Sequence, residues 1–206
     1  MPACIVINGP SSAGKSTLAR YLQDVARCPL LRFGVDELYR MVPSAWSGGE
    51  QDARHREAGF RYVDHGFSAD GYALRGISNG ADALMMLRAM NAAVVAMLEE
   101  GVSVVVDGQA FEPAITHDLQ RRLDAAAGRG EASVTYVQLG ARSDVLSDRN
   151  ARHAHPSRIG VHQAALPVQN ARVDLVLDTS DLSTSEVQDR VVALLASRSP
   201  IFGSAL

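Results

Sequence analysis

Short apolar runs alternate with longer segments of helical periodicity along most of the chain. The apolar runs are continuous, as expected of strands covered on both faces, and they fall at residues 3–7, 30–33, 102–106, 133–139 and 175–177. Apolar positions recur at helical spacing over residues 15–27, 36–41, 81–100, 115–127, 143–152 and 184–197. Ser143 and Ser183 are predicted N-caps of the last two helices. The alternation predicts an α/β fold with about five parallel strands and helices on both faces.

Two segments interrupt this alternation. Residues 43–80 are rich in glycine, polar residues and aromatics, and they are too long for a bare loop. We expect small helical or hairpin elements there, lying over one edge of the sheet. Residues 149–170 are basic and contain the sequence HAHPSR, which we interpret as a mobile lid. The 206 residues are therefore predicted to form one domain, residues 1–206, with an insertion and a lid.

Composition and charge argue against several classes of protein. The formal net charge is −3, so no electrostatic footprint for nucleic acid or an anionic membrane is present. The apolar runs are too short to span a bilayer, and the first residues lack the basic start of a signal peptide. Two cysteines, Cys4 and Cys28, make no disulfide framework. A cytoplasmic location is the resulting expectation, whereas no pattern predicts the oligomeric state.

The segment from Gly9 to Thr17 carries the most specific chemical signal. It matches G-x-x-x-x-G-K-[ST], follows a predicted strand and opens a predicted helix, which is the context that a phosphate-binding loop requires. Backbone N–H groups of such a loop and the helix N-terminus bind phosphate oxygens. The predicted nucleotide-binding residues here are Gly9, Pro10, Ser11, Ser12, Ala13, Gly14, Lys15, Ser16 and Thr17.

Lys15 is the only lysine among the 20 lysines and arginines of the chain. We predict that it contacts the β- and γ-phosphates of ATP, because a compact ammonium fits inside a tight loop where a planar guanidinium does not. The hydroxyl of Ser16 is predicted to bind Mg²⁺. Replacing Lys15 by arginine should therefore preserve the fold and impair phosphoryl transfer.

Two aspartates follow neighbouring predicted strands. Asp107 ends the strand at 102–106 and is predicted to hold Mg²⁺, usually through water, opposite Ser16. Asp36 follows the strand at 30–33, and in an open parallel sheet this edge receives the ligands. We predict that Asp36 accepts the proton of an attacking hydroxyl. A role as a helix N-cap is the alternative for Asp36, and Glu37 is the fallback base.

Arginines are concentrated around the predicted lid, at Arg142, Arg149, Arg152 and Arg158. Arg149 and Arg152 are three residues apart and so share a helix face. Guanidinium groups bind phosphate oxygens in pairs and neutralise charge in the transition state. We predict that Arg149 contacts the nucleotide and that Arg152 and Arg158 act in catalysis, with a solvated basic face as the alternative.

Taken together, these segments resemble the chloramphenicol phosphotransferase family, on the evidence of INGPSSAGKST, FGVDELYRMVP, VVVDG, the R-N-A-R…R segment and VDLVLDTSDLSTSE. The resemblance implies a fold related to nucleotide and shikimate kinases, with strand order 2-3-1-4-5. It also implies ATP-dependent transfer of the γ-phosphate to a substrate hydroxyl. The family's strand-2 aspartate base matches Asp36, and its loop lysine and serine match Lys15 and Ser16.

The chain departs from the family at the predicted acceptor site. The family tends to have two acids after the third strand, whereas here Asp107 is followed by Gly108, Gln109, Ala110 and Phe111. The segment 43–80 also exceeds its family counterpart in length. Asp36, Gln109 and Phe111 are our candidate acceptor-binding residues. These departures weaken chloramphenicol itself as the substrate and leave the kinase prediction intact.

Two alternatives remain open at the level of the sequence. The first is a kinase for a nucleoside, nucleotide or other metabolite, and a phosphorylated acceptor would suit the arginines at positions 54, 56, 61 and 75. The second is a nucleotide-binding regulatory or toxin-type module that transfers no phosphate to a small molecule. Such a module needs the phosphate-binding loop but neither Asp36 at the reaction edge nor a basic lid.

Overall fold

The computed structural model describes residues 1–47, 54–108, 111–153, 158–167 and 172–203. The described strands are β1 (Ala3–Asn8), β2 (Leu30–Phe33), β3 (Phe60–Phe67), β4 (Ala73–Asn79), β5 (Ser103–Asp107), β6 (Ser133–Gly140) and β7 (Leu175–Asp178). The described α-helices are α1 (Lys15–Val25), α2 (Val35–Met41), α3 (Ala81–Glu99), α4 (Pro113–Gly128), α5 (Ser143–Ala151), α6 (Gly160–Ala165) and α7 (Thr184–Ala196).

A five-stranded parallel sheet forms the centre of the fold, in the order β2-β5-β1-β6-β7. Numbered among the parallel strands alone, this order is 2-3-1-4-5, so the predicted α/β fold and its strand order are confirmed. Ile7 pairs with Asp107 and Phe33 with Val106, so β1, β2 and β5 end together. The loops that follow these strands therefore meet at one edge of the sheet.

Helices cover both faces of this sheet. On one face, Ile5 and Ile7 of β1 pack in a cluster with Leu18 of α1 and Val191 of α7. Successive side chains of a strand point to opposite faces, so Val6 packs on the other face, in a cluster that includes residues of α3 and α4. Every residue of β1 is buried, which explains the continuous apolar run.

The predicted insertion contains a 3₁₀ turn (Ser44–Trp46) and an antiparallel hairpin formed by β3 and β4. Phe60 at the start of β3 anchors the hairpin in a third apolar cluster, together with Leu38 of α2 and Leu87 of α3. The opposite end of β4 reaches the first core face through Leu74. The hairpin thus lies beside the edge of the sheet at which the phosphate-binding loop begins.

Two helix ends differ from the sequence-based predictions. Helix α1 ends at Val25, because the Arg27 N–H donates to the carbonyl of Ile201 at 3.0 Å and leaves the helical pattern. Ser143 is the first residue of α5 and not its cap, since Arg142 holds the N-cap position without a side-chain hydrogen bond. Ser183 does cap α7, in a capping box with Glu186.

By length and composition alone, α3 is long and apolar enough to cross a membrane, although no continuous apolar run of the sequence is that long. However, its residues Leu87, Val94 and Leu98 are fully buried against the sheet and the neighbouring helices. In all, 33% of the apolar window is buried, as in a helix that packs one face against a core.

Candidate active site

The loop between β1 and α1 has the backbone geometry that close contact with phosphate requires. Gly9 and Gly14 have φ angles of 143° and 98°, in a region that favours glycine. A Cβ on Gly9 would lie 2.3 Å from the carbonyl oxygen of Leu139, so no larger residue fits. Ser12 also has a positive φ, at 70°, which is uncommon for serine. The loop is therefore a preformed, strained turn.

Hydrogen bonds from distant elements hold this loop in place. Arg149 of α5 donates to the carbonyl of Thr179 at 2.8 Å, to its hydroxyl at 3.0 Å and to the carbonyl of Ser12 at 3.5 Å. The Thr179 hydroxyl lies 3.2 Å from the carbonyl oxygen of Ala13. Arg149 was predicted to contact the nucleotide; in the structure its side chain supports the loop that receives it and also lines the adjoining cavity.

Lys15 lies at the base of the loop, where its Nζ atom donates to the carbonyl of Pro10 at 2.8 Å. Burial lowers the pKa of Lys15, while the carboxylates of Asp107 and Asp36 act in the opposite direction. A Cβ built on Gly108 would lie 3.0 Å from Cε of Lys15, and Gly108 has a φ of 81°. Gly108 thus leaves the space that the lysine side chain occupies.

Asp107 is buried beside Lys15, at the end of β5. Arg32 of β2 forms an ion pair with Asp107 over 3.4 Å. Burial raises the pKa of Asp107, whereas the Ser16 hydroxyl, Lys15 and Arg32 lower it. Its Oδ1 atom is buried with no hydrogen-bond partner among the described residues. The Ser16 hydroxyl interacts with the same carboxylate, so two oxygen groups suited to Mg²⁺ lie together here.

The two acids that follow β2 have different environments. Asp36 is exposed and lines the large cavity described below. Glu37 instead accepts a hydrogen bond from Arg32 at 2.9 Å and lies 3.6 Å from Arg40. Gly34, just before these acids, lies so close to Asp107 that a Cβ would meet its carbonyl oxygen at 2.2 Å. This close approach places Asp36 near Lys15 and Asp107.

A cavity of about 1130 Å³ joins the phosphate-binding loop to the hairpin. Around the loop and α7 its wall is formed by Lys15, Ser16, Arg20, Leu182, Val187 and Gln188. Around α2 and the hairpin it is formed by Asp36, Tyr39, Arg61, His65, Asn79 and Phe111. One wall therefore presents the loop, an ammonium, a guanidinium and a hydroxyl group, and the other presents a carboxylate, aromatic rings and polar side chains.

The predicted lid residues are placed unequally. Arg152 and His153 line the cavity. Arg158 is exposed and is not among the lining residues, and its backbone N–H donates to Oδ1 of Asn150 at 3.1 Å. Gln109, the predicted acceptor-binding amide, lies outside the described residues. The catalytic roles of Arg152 and Arg158 and the acceptor role of Gln109 stay predictions.

Sequence reasoning missed several residues of this site. Arg32 could have been noticed as an arginine inside an apolar strand run, LLRF. Thr179 lies in the VLDTS segment, whose contact with the loop no local pattern indicates. His65, His162 and Gln163 reach the cavity from the hairpin and from α6, and their positions depend on packing between elements that are distant in the chain.

The parallel sheet in the order 2-3-1-4-5, with a glycine-rich loop between its first strand and first helix, defines a P-loop kinase fold. The family described as "Chloramphenicol phosphotransferase-like protein" matches residues 3–196. This chain belongs to that family. Family and fold together support a phosphotransferase of the kinase class.

Solved structures show the same fold. A sugar kinase from Janibacter sp. has a TM-score of 0.61 and 17% identity, with 100% of each chain covered. The Mycobacterium tuberculosis APS kinase in complex with AMPPNP and APS has a TM-score of 0.55 and 17% identity, with 94% of this chain and 97% of that chain covered. The Deinococcus radiodurans tunicamycin resistance protein has a TM-score of 0.54 and 19% identity, with 95% and 96% covered. At these identities the likeness concerns the fold alone.

Proposed function

We propose that this chain is an ATP- and Mg²⁺-dependent phosphotransferase that moves the γ-phosphate to a hydroxyl of a small molecule. The observation that carries the proposal is the shared cavity, in which the exposed carboxylate of Asp36 faces the space next to the phosphate-binding loop. ATP and the hydroxylated acceptor are its proposed partners, and the cytoplasm is its proposed location.

In this proposal the loop amides and Lys15 bind the phosphates of ATP. Ser16 and Asp107 would hold Mg²⁺, consistent with the buried, unpaired Oδ1 atom of Asp107. The metal supplies positive charge that neutralises phosphate oxygens during transfer. Arg32 keeps Asp107 in place from the side away from the loop, since it pairs with both Asp107 and Glu37.

Asp36 is the proposed general base. It takes the proton of the acceptor hydroxyl as the hydroxyl oxygen bonds to the γ-phosphorus and ADP leaves. Glu37 suits this role less, because its carboxylate is engaged by Arg32. Arg152 lies on the cavity wall and is proposed to neutralise charge on the transferring group, with Arg158 approaching as the lid closes.

The charges around the hairpin favour an acceptor without a phosphate group. Of the four arginines suited to a phosphorylated acceptor, only Arg61 lines the cavity in the described structure, and it pairs with Glu57. Arg75 pairs with Asp64 and stacks on the ring of Tyr62, 4.2 Å from its centroid. Arg61 and Arg75 are thus each paired with a neighbouring acid.

A neutral, hydroxylated molecule is therefore the proposed acceptor class. Chloramphenicol or a related antibiotic belongs to this class, and so do nucleosides and other uncharged metabolites. A nucleotide-binding module without transfer has less support, because such a module requires no exposed carboxylate beside the loop.

Measuring phosphate transfer with a panel of acceptors tests the proposal. Purified protein with ATP and Mg²⁺ is incubated with chloramphenicol, nucleosides, nucleotides and sugars, and products are identified by mass. We expect one or more neutral acceptors to gain a phosphate, and Asp36→Asn to abolish that product while still binding ATP. ATP binding with no product from any acceptor would favour the nucleotide-binding module.

A further inference from the structure

Helix α6 lies between the phosphate-binding loop and the hairpin and contacts both at close range. At its first residue, a Cβ on Gly160 would lie 2.5 Å from the carbonyl oxygen of Ser11 in the loop. On the hairpin side, a Cβ on Gly76 would lie 3.1 Å from the ring of His162. Glycines thus permit close packing on both sides of α6.

A hydrogen bond joins α6 to the loop itself. The backbone N–H of Ser11 donates to Oε1 of Gln163 at 2.7 Å, across 152 residues of sequence. The backbone N–H and the carbonyl oxygen of Ser11 therefore both lie against α6, the first bonded to Gln163 and the second packed against Gly160.

Gln163 also occupies a boundary between two spaces. It lines the large cavity and a smaller one of about 200 Å³, whose wall includes Asn8, Gln138 and Phe111. Moving its side chain away from Ser11 would open the loop towards the smaller cavity.

The hairpin completes the attachment of α6. The rings of His162 and His65 are stacked, with centroids 4.4 Å apart and planes 12° from parallel. His65 lines the acceptor wall of the cavity. The helix therefore contacts the donor side through Gln163 and the acceptor side through His162.

We propose that Gln163 is a positioning residue that fastens α6 to the phosphate-binding loop, which holds the Ser11 backbone in the loop conformation seen here and keeps water from the transferring group. The proposal rests on the proposed phosphotransferase function. In general, a protein segment that closes over a phosphoryl donor excludes water and so suppresses hydrolysis of the donor. Gln163 does not itself exchange a proton or bond with the substrate.

Three variants test this attachment. Gln163→Met removes the acceptor oxygen but keeps the length and helix propensity of the side chain. Gly160→Ala adds a methyl group that would meet the Ser11 carbonyl and push α6 from the loop. Gln163→Glu keeps an oxygen acceptor for the Ser11 N–H and serves as the matched control in nucleotide-free protein.

The first readout is amide hydrogen exchange of residues 9–14 without nucleotide. We expect the Ser11 amide hydrogen to exchange about tenfold faster in Gln163→Met and Gly160→Ala, because one hydrogen bond is lost. In Gln163→Glu it should exchange at the wild-type rate. The second readout is the ratio of phosphate transferred to an acceptor to phosphate released to water. We expect this ratio to fall about tenfold in the Met and Ala variants, with ATP affinity retained.

Wild-type Ser11 exchange in both variants overturns the proposal, and so does faster exchange with an unchanged transfer ratio. The two proposals fail in different ways. If no acceptor is phosphorylated by the wild-type protein, the phosphotransferase function fails, while Ser11 exchange and the rate of ATP hydrolysis still decide the role of Gln163.

Discussion

Exchanging Lys15 for arginine changes the shape of the cation at the base of the loop while keeping its charge. The ammonium donates to the carbonyl of Pro10 at 2.8 Å, and a Cβ on Gly108 would lie only 3.0 Å from Cε of Lys15. The space between the loop and Gly108 is therefore about as wide as the lysine chain. A guanidinium does not fit there unless it moves outward or displaces the loop.

The size of the effect follows from that displacement. We take the shift of the positive charge to be on the order of 1 Å, and a misplacement of this size costs roughly 100-fold in rate. A factor of 100 corresponds to about 2.7 kcal/mol in the activation free energy. The free energy of unfolding should change much less, because the charge is retained and Asp107 and Asp36 still face it.

The assay compares kcat for transfer, the affinity for ATP and the thermal midpoint in wild type and Lys15→Arg. Arg190→Lys, an exchange at an exposed position of α7, is the control and should leave all three unchanged. Turnover of Lys15→Arg within about threefold of wild type would refute the idea that this space selects a compact ammonium. A large loss of thermal stability would instead mean that the lysine is needed for the fold.

Three further predictions concern the base, the helix contact and the core. Asp36→Asn should bind ATP normally but lose transfer about 100-fold or more, as for removal of a general base; near-normal turnover would exclude this role. Burial, and then His65, lowers the pKa of His162, so its neutral form favours the folded state and stability should fall as pH drops below the ordinary histidine value of 6.5. Thermal midpoints across this range should depend less on pH in His162→Gln, and equal slopes would contradict the argument. Burial alone would raise the pKa of Asp118. Hydrogen bonds, above all the one from Arg122, outweigh burial and lower the pKa, so the charged form of Asp118 stabilises the fold. Asp118→Asn should therefore reduce the free energy of unfolding by about 1–3 kcal/mol in urea titrations, and a change below about 0.5 kcal/mol would argue against this.

Short-range signals predicted much of the fold and part of the site. The buried run of β1 and the G-x-x-x-x-G-K-[ST] motif each occupy a short window, in which periodicity or backbone demand is sufficient. The resemblance to a family supplied the strand order, which the pairing of β1 with β5 and β6 confirmed. Chain order alone does not specify which strands pair.

Residues missed by sequence reasoning belong to contacts made across long stretches of chain. Arg32 contacts Asp107 because β2 lies beside β5 in the sheet, and the sequence does not indicate that pairing. Arg149 was predicted as a nucleotide contact from its residue type, which stays a prediction, and only the packing of α5 reveals its hydrogen bonds to Thr179 and to the carbonyl of Ser12. Residue type alone does not indicate such a supporting role.

By itself, the sequence determined that this chain has alternating strands and helices, a phosphate-binding loop with its single lysine, and carboxylates at the ends of the following strands. The tertiary structure decided which carboxylate stays exposed, because Arg32 engages Glu37 and leaves Asp36 at the cavity. It also decided that α6 bonds to Ser11, 152 residues away from Gln163. Local conformation depends on neighbours within a few residues, whereas such contacts arise only when packing of the core brings distant elements together.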